Sequence, residues 1–279
     1  MRRPRQVDEL VPERVAARGR IVPTAAVLLF FLAPLAWQVL TSLWPEAELT
    51  RPLPSTLTLA NYAGLGGTFA RAVLNSLLVA AGTTVLCLAV GASAAFAIAK
   101  LEFRGRSLLL GSALAISMFP PIATVSPLYL ALRAVGLRDS LAGLVVPYAT
   151  FALPLTLWLL ISFFRDLPDE LYRAALVDGC TPWQAFVHVY LPLSWPALAT
   201  CAILVFIFSW NELLYALSFL STPSKRTIPV AIALFAGEHV EPWGQIAAAS
   251  VVATLPLAVL TFLFQRRIVA GLTAGAVKG

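Results

Sequence analysis

Six long apolar runs dominate the chain, each close to the ~20 residues that an α-helix needs to cross the hydrocarbon core of a membrane. The runs are Ile21–Leu43, Leu74–Ala99, Leu108–Leu132, Leu141–Phe164, Leu193–Leu220 and Ile246–Phe264. This pattern predicts an all-α integral membrane protein with six transmembrane helices. Residues 21–268 are expected to form one transmembrane domain between two cytoplasmic tails, 1–20 and 269–279.

The third apolar run contains a proline-rich interruption near its middle. The sequence there is Met118-Phe119-Pro120-Pro121. Proline has no backbone N–H and clashes with the preceding turn, so a helix bends or breaks at such a site. We expect the third run to bend beside Met118, either around a cavity or in ordinary packing against neighbouring helices.

A short polar segment, residues 166–192, separates the fourth and fifth apolar runs and contains the start and stop signals of two helices. Asp166 is placed to cap the first helix, and Gly179 to end it. Thr181 and Gln184 have the spacing of a capping box at the start of the second helix. The segment is therefore predicted to be a rigid helix–turn–helix rather than a flexible linker.

Apolar residues recur at helical spacing along both predicted helices. They are Leu171, Ala174 and Ala175 in the first helix, and Trp183, Phe186, Val187 and Tyr190 in the second. Such a pair of helices suits two roles. It can lie in the membrane interface as an amphipathic hairpin, or it can present a stiff surface to a partner.

The composition excludes a soluble domain and several kinds of site. Hydrophobic residues make up 59% of the chain and charged residues 12%, whereas soluble domains carry about 25% charged residues. The net charge of +6 comes without a basic, aromatic-rich patch, so no nucleic-acid partner is expected. Three cysteines without a CxxC pair and two isolated histidines, His188 and His239, predict neither a disulfide framework nor a metal site.

The distribution of positive charge predicts the orientation in the membrane. Of the 20 Lys and Arg residues, 14 fall in segments on the side of the two termini and six on the other side. Cytoplasmic segments of membrane proteins carry the excess of Lys and Arg. Both termini and the polar segment 166–192 are therefore expected in the cytoplasm.

The polar segment also has the spacing of a known motif. Its pattern is Ala174-Ala175-x3-Gly179-x9-Val189-x-Leu191-Pro192. This pattern resembles the EAA loop of permease subunits in binding-protein-dependent ABC importers, the MetI-like permeases. Similarity to the carbohydrate-uptake branch, of maltose and trehalose type, extends over nearly the whole chain, at Asn61-Tyr62, Asn75-Ser76, Trp210-Asn211-Glu212 and the tail Phe264–Gly279.

The resemblance implies a subunit of a sugar importer in a bacterial inner membrane. Its partners would be a second homologous permease subunit, a cytoplasmic ATPase dimer, an extracytoplasmic solute-binding protein and membrane lipid. The similarity of the tail to trehalose permeases favours a disaccharide as substrate. The chain has no GxxxxGKS/T phosphate loop, so we expect no cofactor on this chain and assign ATP and Mg to the partner ATPase.

The resemblance also implies which residues contact the ATPase. The candidates are Glu170, Arg173, Ala174, Ala175, Asp178 and Gly179. One departs from the motif, because Arg173 stands where the family has a glutamate that docks the ATPase. Either the charge pairing is reversed in this system, or Glu170 or Asp178 takes over the acidic role.

A second group of polar and aromatic residues lies at the end of the fifth run. Trp210, Asn211, Glu212 and Tyr215, together with Met118, are the candidates for the substrate pathway. An ionisable residue within a span usually faces protein or water, and aromatic and amide groups suit a sugar. The alternative is an aromatic belt at the membrane interface, where Trp and Tyr collect.

Two other functions fit the sequence less well than a sugar-importing permease. An ion-coupled secondary transporter needs acidic groups on discontinuous helices near the membrane midplane, usually in related halves of the chain. Here Glu212 is the main acidic residue inside an apolar run, and the halves show no similarity. A membrane enzyme needs converging catalytic groups, and the sequence gives no sign of them.

Overall fold

The computed structural model describes residues 13–235 and 242–274, and within these residues the secondary structure is entirely helical. Residues 1–12 and 275–279 of the predicted tails, and 236–241 with His239, lie outside the described residues. The longer helices are α1 (Glu13–Ser42), α3 (Gly66–Lys100), α4 (Arg106–Met118), α5 (Pro121–Ala134), α6 (Leu141–Asp166), α7 (Asp169–Val177), α10 (Trp195–Trp210) and α13 (Trp243–Ala274). The shorter ones are α2 (Ala60–Ala63), α8 (Pro182–Ala185), α9 (Leu191–Leu193), α11 (Leu214–Phe219) and α12 (Ile228–Ala233), with a π-helical turn at Phe186–Tyr190 between α8 and α9.

Four described helices are long and apolar enough to cross a membrane. They are Val22–Ser42, Gly66–Lys100, Leu141–Asp166 and Trp243–Gln265. Two bent pairs pass the same test together, namely α4 with α5, bent by 104°, and residues 182–193 with α10, bent by 79°. If each bent pair is one span the number is six, so the six-span topology remains a prediction.

The bend predicted beside Met118 is confirmed. Helix α4 ends at Met118, and α5 begins at Pro121 with Pro120 as its extended N-cap residue. A proline is accepted in the first turn of a helix, where its missing N–H has no partner to lose. The same two prolines therefore end one helix and start another.

The fifth apolar run differs from the prediction of one helix over Leu193–Leu220. Helix α10 ends at Trp210, and a separate short helix, α11, begins at Leu214. The carboxylate of Glu212 accepts hydrogen bonds from the backbone N–H groups of Tyr215 (2.9 Å) and Ala216 (3.3 Å). A side chain that binds these free N–H groups offers the backbone an alternative to continuing the helix.

The described residues fall into two compact units, 13–64 with 242–251 and 65–235 with 252–274. In the first unit, the buried Asn61 donates its amide to the carbonyls of Ser42 (3.0 Å) and Trp44 (2.9 Å). The hydroxyls of Ser42 and Tyr62 are 2.7 Å apart. These bonds fold the chain after α1 back against the end of that helix.

The second unit is built on the close contact of α3 with α6 and α10. Gly82 and Gly91 of α3 lie against side chains of α6, which lets the two backbones come near each other. A Cβ atom on Gly91 would lie 2.7 Å from Cγ2 of Thr156, closer than side chains approach. By contrast, no residue of α4 is fully buried, and apart from Leu110, which packs against the core, most of its surface is available for lipid or another protein.

Candidate coupling hairpin and pathway residues

The first helix of the polar segment ends in the way that the sequence predicts. Gly179 has a φ of +85°, a left-handed conformation that glycine adopts without steric cost. The N–H of Gly179 donates to the carbonyl of Leu176 (3.1 Å), and the N–H of Cys180 to that of Ala175 (2.9 Å). This pair of bonds is the Schellman motif, so the predicted C-cap is confirmed.

The predicted N-cap of the same helix is wrong. Asp166 is the last residue of α6, and Pro168 is the N-cap residue of α7, without a side-chain hydrogen bond. Proline disfavours the helical conformation in the residue before it, so α6 ends before Leu167, which is extended. Asp166 is thus two positions too early to cap α7.

The second helix starts with the capping box that the sequence predicts. The N–H of Thr181 donates to Oε1 of Gln184 (2.8 Å), and the N–H of Gln184 donates to Oγ1 of Thr181 (3.3 Å). The helix then passes through the π-helical turn and α9, and the chain bends at Ser194 into α10. We name residues 169–193 the hairpin.

An aromatic cluster holds the hairpin against the ends of α3 and α6. The ring of Phe96, on α3, lies between 5.0 and 6.1 Å from four other rings, those of Phe164, Tyr172, Phe186 and Tyr190. Such offset and edge-to-face pairs contribute beyond the apolar area that they bury. Trp183 was expected on this face, but it is exposed and contacts Phe186 from outside the cluster.

Lys100 is a further anchor of the hairpin, and sequence reasoning missed it. Its Nζ is 2.5 Å from Oδ1 of Asp169 and 2.8 Å from the carbonyl oxygen of Leu167. Its hydrogen bond to Asp169, followed by its charge, holds the pKa of that carboxyl below the ordinary value. In the sequence, a lysine at the end of an apolar run indicates only orientation, because its partners are 67 and 69 residues away.

The opposite face of the hairpin is open. Five of the six predicted ATPase contacts are exposed there, namely Glu170, Arg173, Ala174, Asp178 and Gly179. The sixth, Ala175, is buried, and its carbonyl belongs to the C-cap of α7. Val177 adds an exposed apolar side chain to the same short helix. The hairpin thus has one packed face and one free face.

Two of the predicted pathway residues are in the interior. Trp210 is buried, donates its Nε1 to the carbonyl of Ala253 (3.1 Å), and stacks on Phe206 with ring centroids 5.6 Å apart. Tyr215 is also buried, and its hydroxyl lies 2.6 Å from Oγ1 of Thr124. These side chains fix helices to one another.

The other three pathway candidates are more accessible. Asn211 is exposed and donates to the carbonyl of Ile207 (2.7 Å), while the half-buried Glu212 uses both carboxylate oxygens on α11. Met118 is 84% exposed at the end of α4. The Tyr215 hydroxyl also donates to the carbonyl of Pro121 (3.3 Å), so the structure brings the two breaks, after Met118 and after Trp210, next to each other.

Among the described residues, no group of three or more His, Cys, Asp or Glu side chains is placed to hold a metal ion. The region combines bent or broken apolar helices with a capped polar hairpin. Discontinuous membrane helices of this kind are typical of transport permeases. Residues 87–273 match the family described as binding-protein-dependent transport system inner membrane component, and the chain belongs to this family.

Curated relatives agree with the family and with the resemblance predicted from the sequence. The chain is 50% identical over 256 residues to the trehalose transport system permease protein SugB of Mycobacterium tuberculosis, covering 90% of this chain and 93% of that one. It is 41% identical to the sulfoquinovosyl glycerol transport system permease protein SmoH of Agrobacterium fabrum, covering 93% of each chain. It is 39% identical to the trehalose/maltose transport system permease protein MalG of Thermococcus litoralis, covering 93% and 96%.

A solved structure shows the same fold. A chain of a bacterial ABC transporter involved in the import of the acidic polysaccharide alginate superimposes with a TM-score of 0.77, over 95% of this chain and 99% of that one. The sequence identity is 22%, so this likeness concerns the fold. The family and this fold together make the protein a multi-pass inner membrane component of a transport system.

Proposed function

We propose that this chain is one of the two permease subunits of an ATP-driven sugar importer and couples to a separate ATPase dimer through the hairpin. The observation that carries the proposal is the two-sided hairpin, with capped helices, one face packed on α3 and α6, and the face with Arg173 and Ala174 free. A rigid element with one free face suits the transmission of a partner's movement. Relatives named for trehalose and maltose transport support a disaccharide as substrate.

The mechanism follows from this rigidity. ATP and Mg bind to the partner, and closure of the ATPase dimer displaces the hairpin. The hairpin is continuous with α10 and packed on α6. Its displacement therefore moves these spans as rigid bodies, so that the pathway opens alternately to the two sides of the membrane. The exposed Met118 and Asn211, beside the two helix breaks, are the residues of this chain that we assign to the sugar pathway.

The remaining partners correspond to exposed surfaces. Helices α1 and α4 present apolar side chains outward, which suits lipid and the second permease subunit. An extracytoplasmic solute-binding protein would deliver the sugar on the side away from the hairpin. The family description supports the inner membrane of a bacterium as the location, and the distribution of Lys and Arg supports both termini in the cytoplasm.

The coupling role is tested with Gly179→Asp in the complete transporter, purified through a tag on this chain and reconstituted in proteoliposomes. Radiolabelled trehalose and maltose serve as probes, with the binding protein and ATP supplied. We expect the variant to insert and assemble but to lose ATP-driven uptake, because the charged side chain strains the C-cap and alters the free face.

Gly136→Asp is the matched control. Gly136 also has a positive φ, +73°, and like Gly179 has nothing within 4 Å of an added Cβ, but it lies after α5 and outside the hairpin. Normal uptake by Gly179→Asp would contradict the coupling role. Uptake that needs an ion gradient and no ATP would instead favour a secondary transporter.

A further inference from the structure

Lys100 is a nearly buried charge at the end of a membrane helix. It is the last residue of α3, and its side chain is 3% exposed. An ammonium group is costly to bury unless charged or polar groups surround it. The groups that surround it here therefore indicate what the lysine does.

Three contacts of this ammonium group belong to three different parts of the chain. The carbonyl oxygen of Leu167 lies in the connection after α6, and Asp169 is the first residue of α7. The ring of Tyr190, at the end of the π-helical turn, has its centroid 5.6 Å from Nζ. One cation therefore holds both arms of the hairpin and the end of the span before it.

Phe96, one helical turn before Lys100, faces the same way. Residues four apart lie on one face of a helix, and the Phe96 ring contacts rings in both arms of the hairpin, at Tyr172 and Tyr190. The last turn of α3 thus packs between the two arms of the hairpin, where the ring of Phe96 and the ammonium group of Lys100 both contact them.

The chain itself connects the hairpin only to α6 and α10. The contacts add α3, which is far away in sequence. We propose that Lys100 is a positioning residue that makes α3 move with the hairpin, so that α3 is a third helix to which the partner's movement is transmitted. This inference rests on the coupling role proposed above.

The energetics favour a role in positioning over one in stability. Asp169 is 71% exposed, so water screens this ion pair and its contribution to folding is small. Removing one partner of an ion pair is costly when the charge left behind is buried, but the Asp169 carboxylate is exposed and stays solvated without the lysine. Lys100→Met should therefore leave an assembled protein in which the hairpin has lost its polar link to α3.

The experiment compares uptake of radiolabelled trehalose and maltose with ATP hydrolysis in the reconstituted complete transporter. For Lys100→Met we expect the amount of sugar taken up per ATP hydrolysed to fall about fivefold or more. Typical coupling free energies between sites correspond to factors of this size. Lys100→Arg keeps the positive charge and should retain most of the wild-type ratio. Asp169→Asn removes the charge but keeps an acceptor oxygen for Lys100, and should lower this ratio in the same direction.

Arg104→Met is the matched control, because Arg104 is exposed and no ion pair to it occurs among the described residues. A wild-type ratio in both Lys100→Met and Asp169→Asn would overturn the inference. So would a loss of assembled complex with the ratio unchanged, which would indicate a purely structural lysine. Failure of the proposed function is distinguishable, because the wild-type transporter itself would then show no ATP-driven uptake.

Discussion

Asp139 binds Thr222 twice, through the backbone N–H (3.1 Å) and the hydroxyl (2.6 Å) of the threonine. The same aspartate accepts from the N–H of Ser221 and, through Oδ2, from Nζ of Lys225. The connection between α5 and α6 is thereby joined to the segment that follows α11. Asn75, on α3, donates to carbonyls of that segment as well, so side chains rather than secondary structure fix its path.

Removing the carboxylate of Asp139 should loosen this segment. Asn tolerates the positive φ of residue 139, +55°, so Asp139→Asn changes mainly the charge and one acceptor oxygen. We expect a loss of about 1–3 kcal/mol in stability, measured as a lower midpoint of thermal unfolding in detergent. Ser218→Ala, which removes only a hydroxyl bonded within its own helix, is the control, and an equal shift in both variants would contradict the prediction.

The contribution of Asp139 to the stability of the folded state should persist at mildly acidic pH. Hydrogen bonds from the Thr222 side chain and backbone, with smaller effects from Ser221 and Lys225, hold the pKa of Asp139 well below its ordinary value. A carboxyl whose pKa is lower in the folded than in the unfolded state stabilises the folded state at pH values above its unfolded pKa, about 3.9. This stabilisation is lost progressively as the pH falls below that value.

The measurement is the difference in thermal midpoint between wild type and Asp139→Asn as a function of pH. We expect a constant difference from neutral pH down to about 5, and a narrowing difference below about 4. A difference that already disappears between about pH 7 and 6 would show that another group controls this segment.

Local signals explain what the sequence predicts well. The C-cap at Gly179 and the capping box of Thr181 and Gln184 depend on residues within six positions of each other, and both are confirmed. The bond from Lys100 to Asp169 joins residues 69 positions apart. No periodicity reveals such a pair, because its existence depends on how α3 packs against α6.

The errors have similarly physical causes. Asp166 has the right residue type for an N-cap, but the proline at 168 moves the start of α7 beyond its reach. The apolar character of Leu193–Leu220 indicates one span, yet Glu212 binds backbone N–H groups and divides it. In the first case a proline ring changes where a helix starts, and in the second a single carboxylate divides a run whose average hydropathy predicts one helix.

The contact between α3 and α6 should not tolerate a methyl group at position 91. In Gly91→Ala the new Cβ would meet Cγ2 of Thr156 at 2.7 Å, and such overpacking costs about 1–3 kcal/mol. Gly111→Ala is the matched control, because nothing lies within 4 Å of a Cβ there. Thr156→Ser removes the clashing methyl group and should rescue Gly91→Ala in a thermal melt, and a lack of rescue would contradict this reading.

The pathway candidates should separate into two kinds. Glu212→Ala removes the acceptors at the start of α11, so we expect it to lower the thermal midpoint by the equivalent of about 1 kcal/mol as well as uptake. Asn211→Ala, at the exposed neighbouring position, should raise the sugar concentration needed for half-maximal uptake and leave the midpoint unchanged. Unchanged uptake kinetics in both variants would remove this region from the pathway.

Arg173 should dock against an acidic residue of the ATPase. It is exposed on the free face of the hairpin, and a positive charge there favours a negative partner. Arg173→Glu should then weaken ATPase binding about tenfold or more, since reversing one charge of an interfacial pair costs several kcal/mol, whereas Arg173→Lys should retain most of it. Co-purification of the ATPase with tagged permease measures both. If Arg173→Glu binds normally while Glu170→Gln or Asp178→Asn does not, the acidic residues carry the docking, because a pair with the opposite polarity then holds the two subunits together.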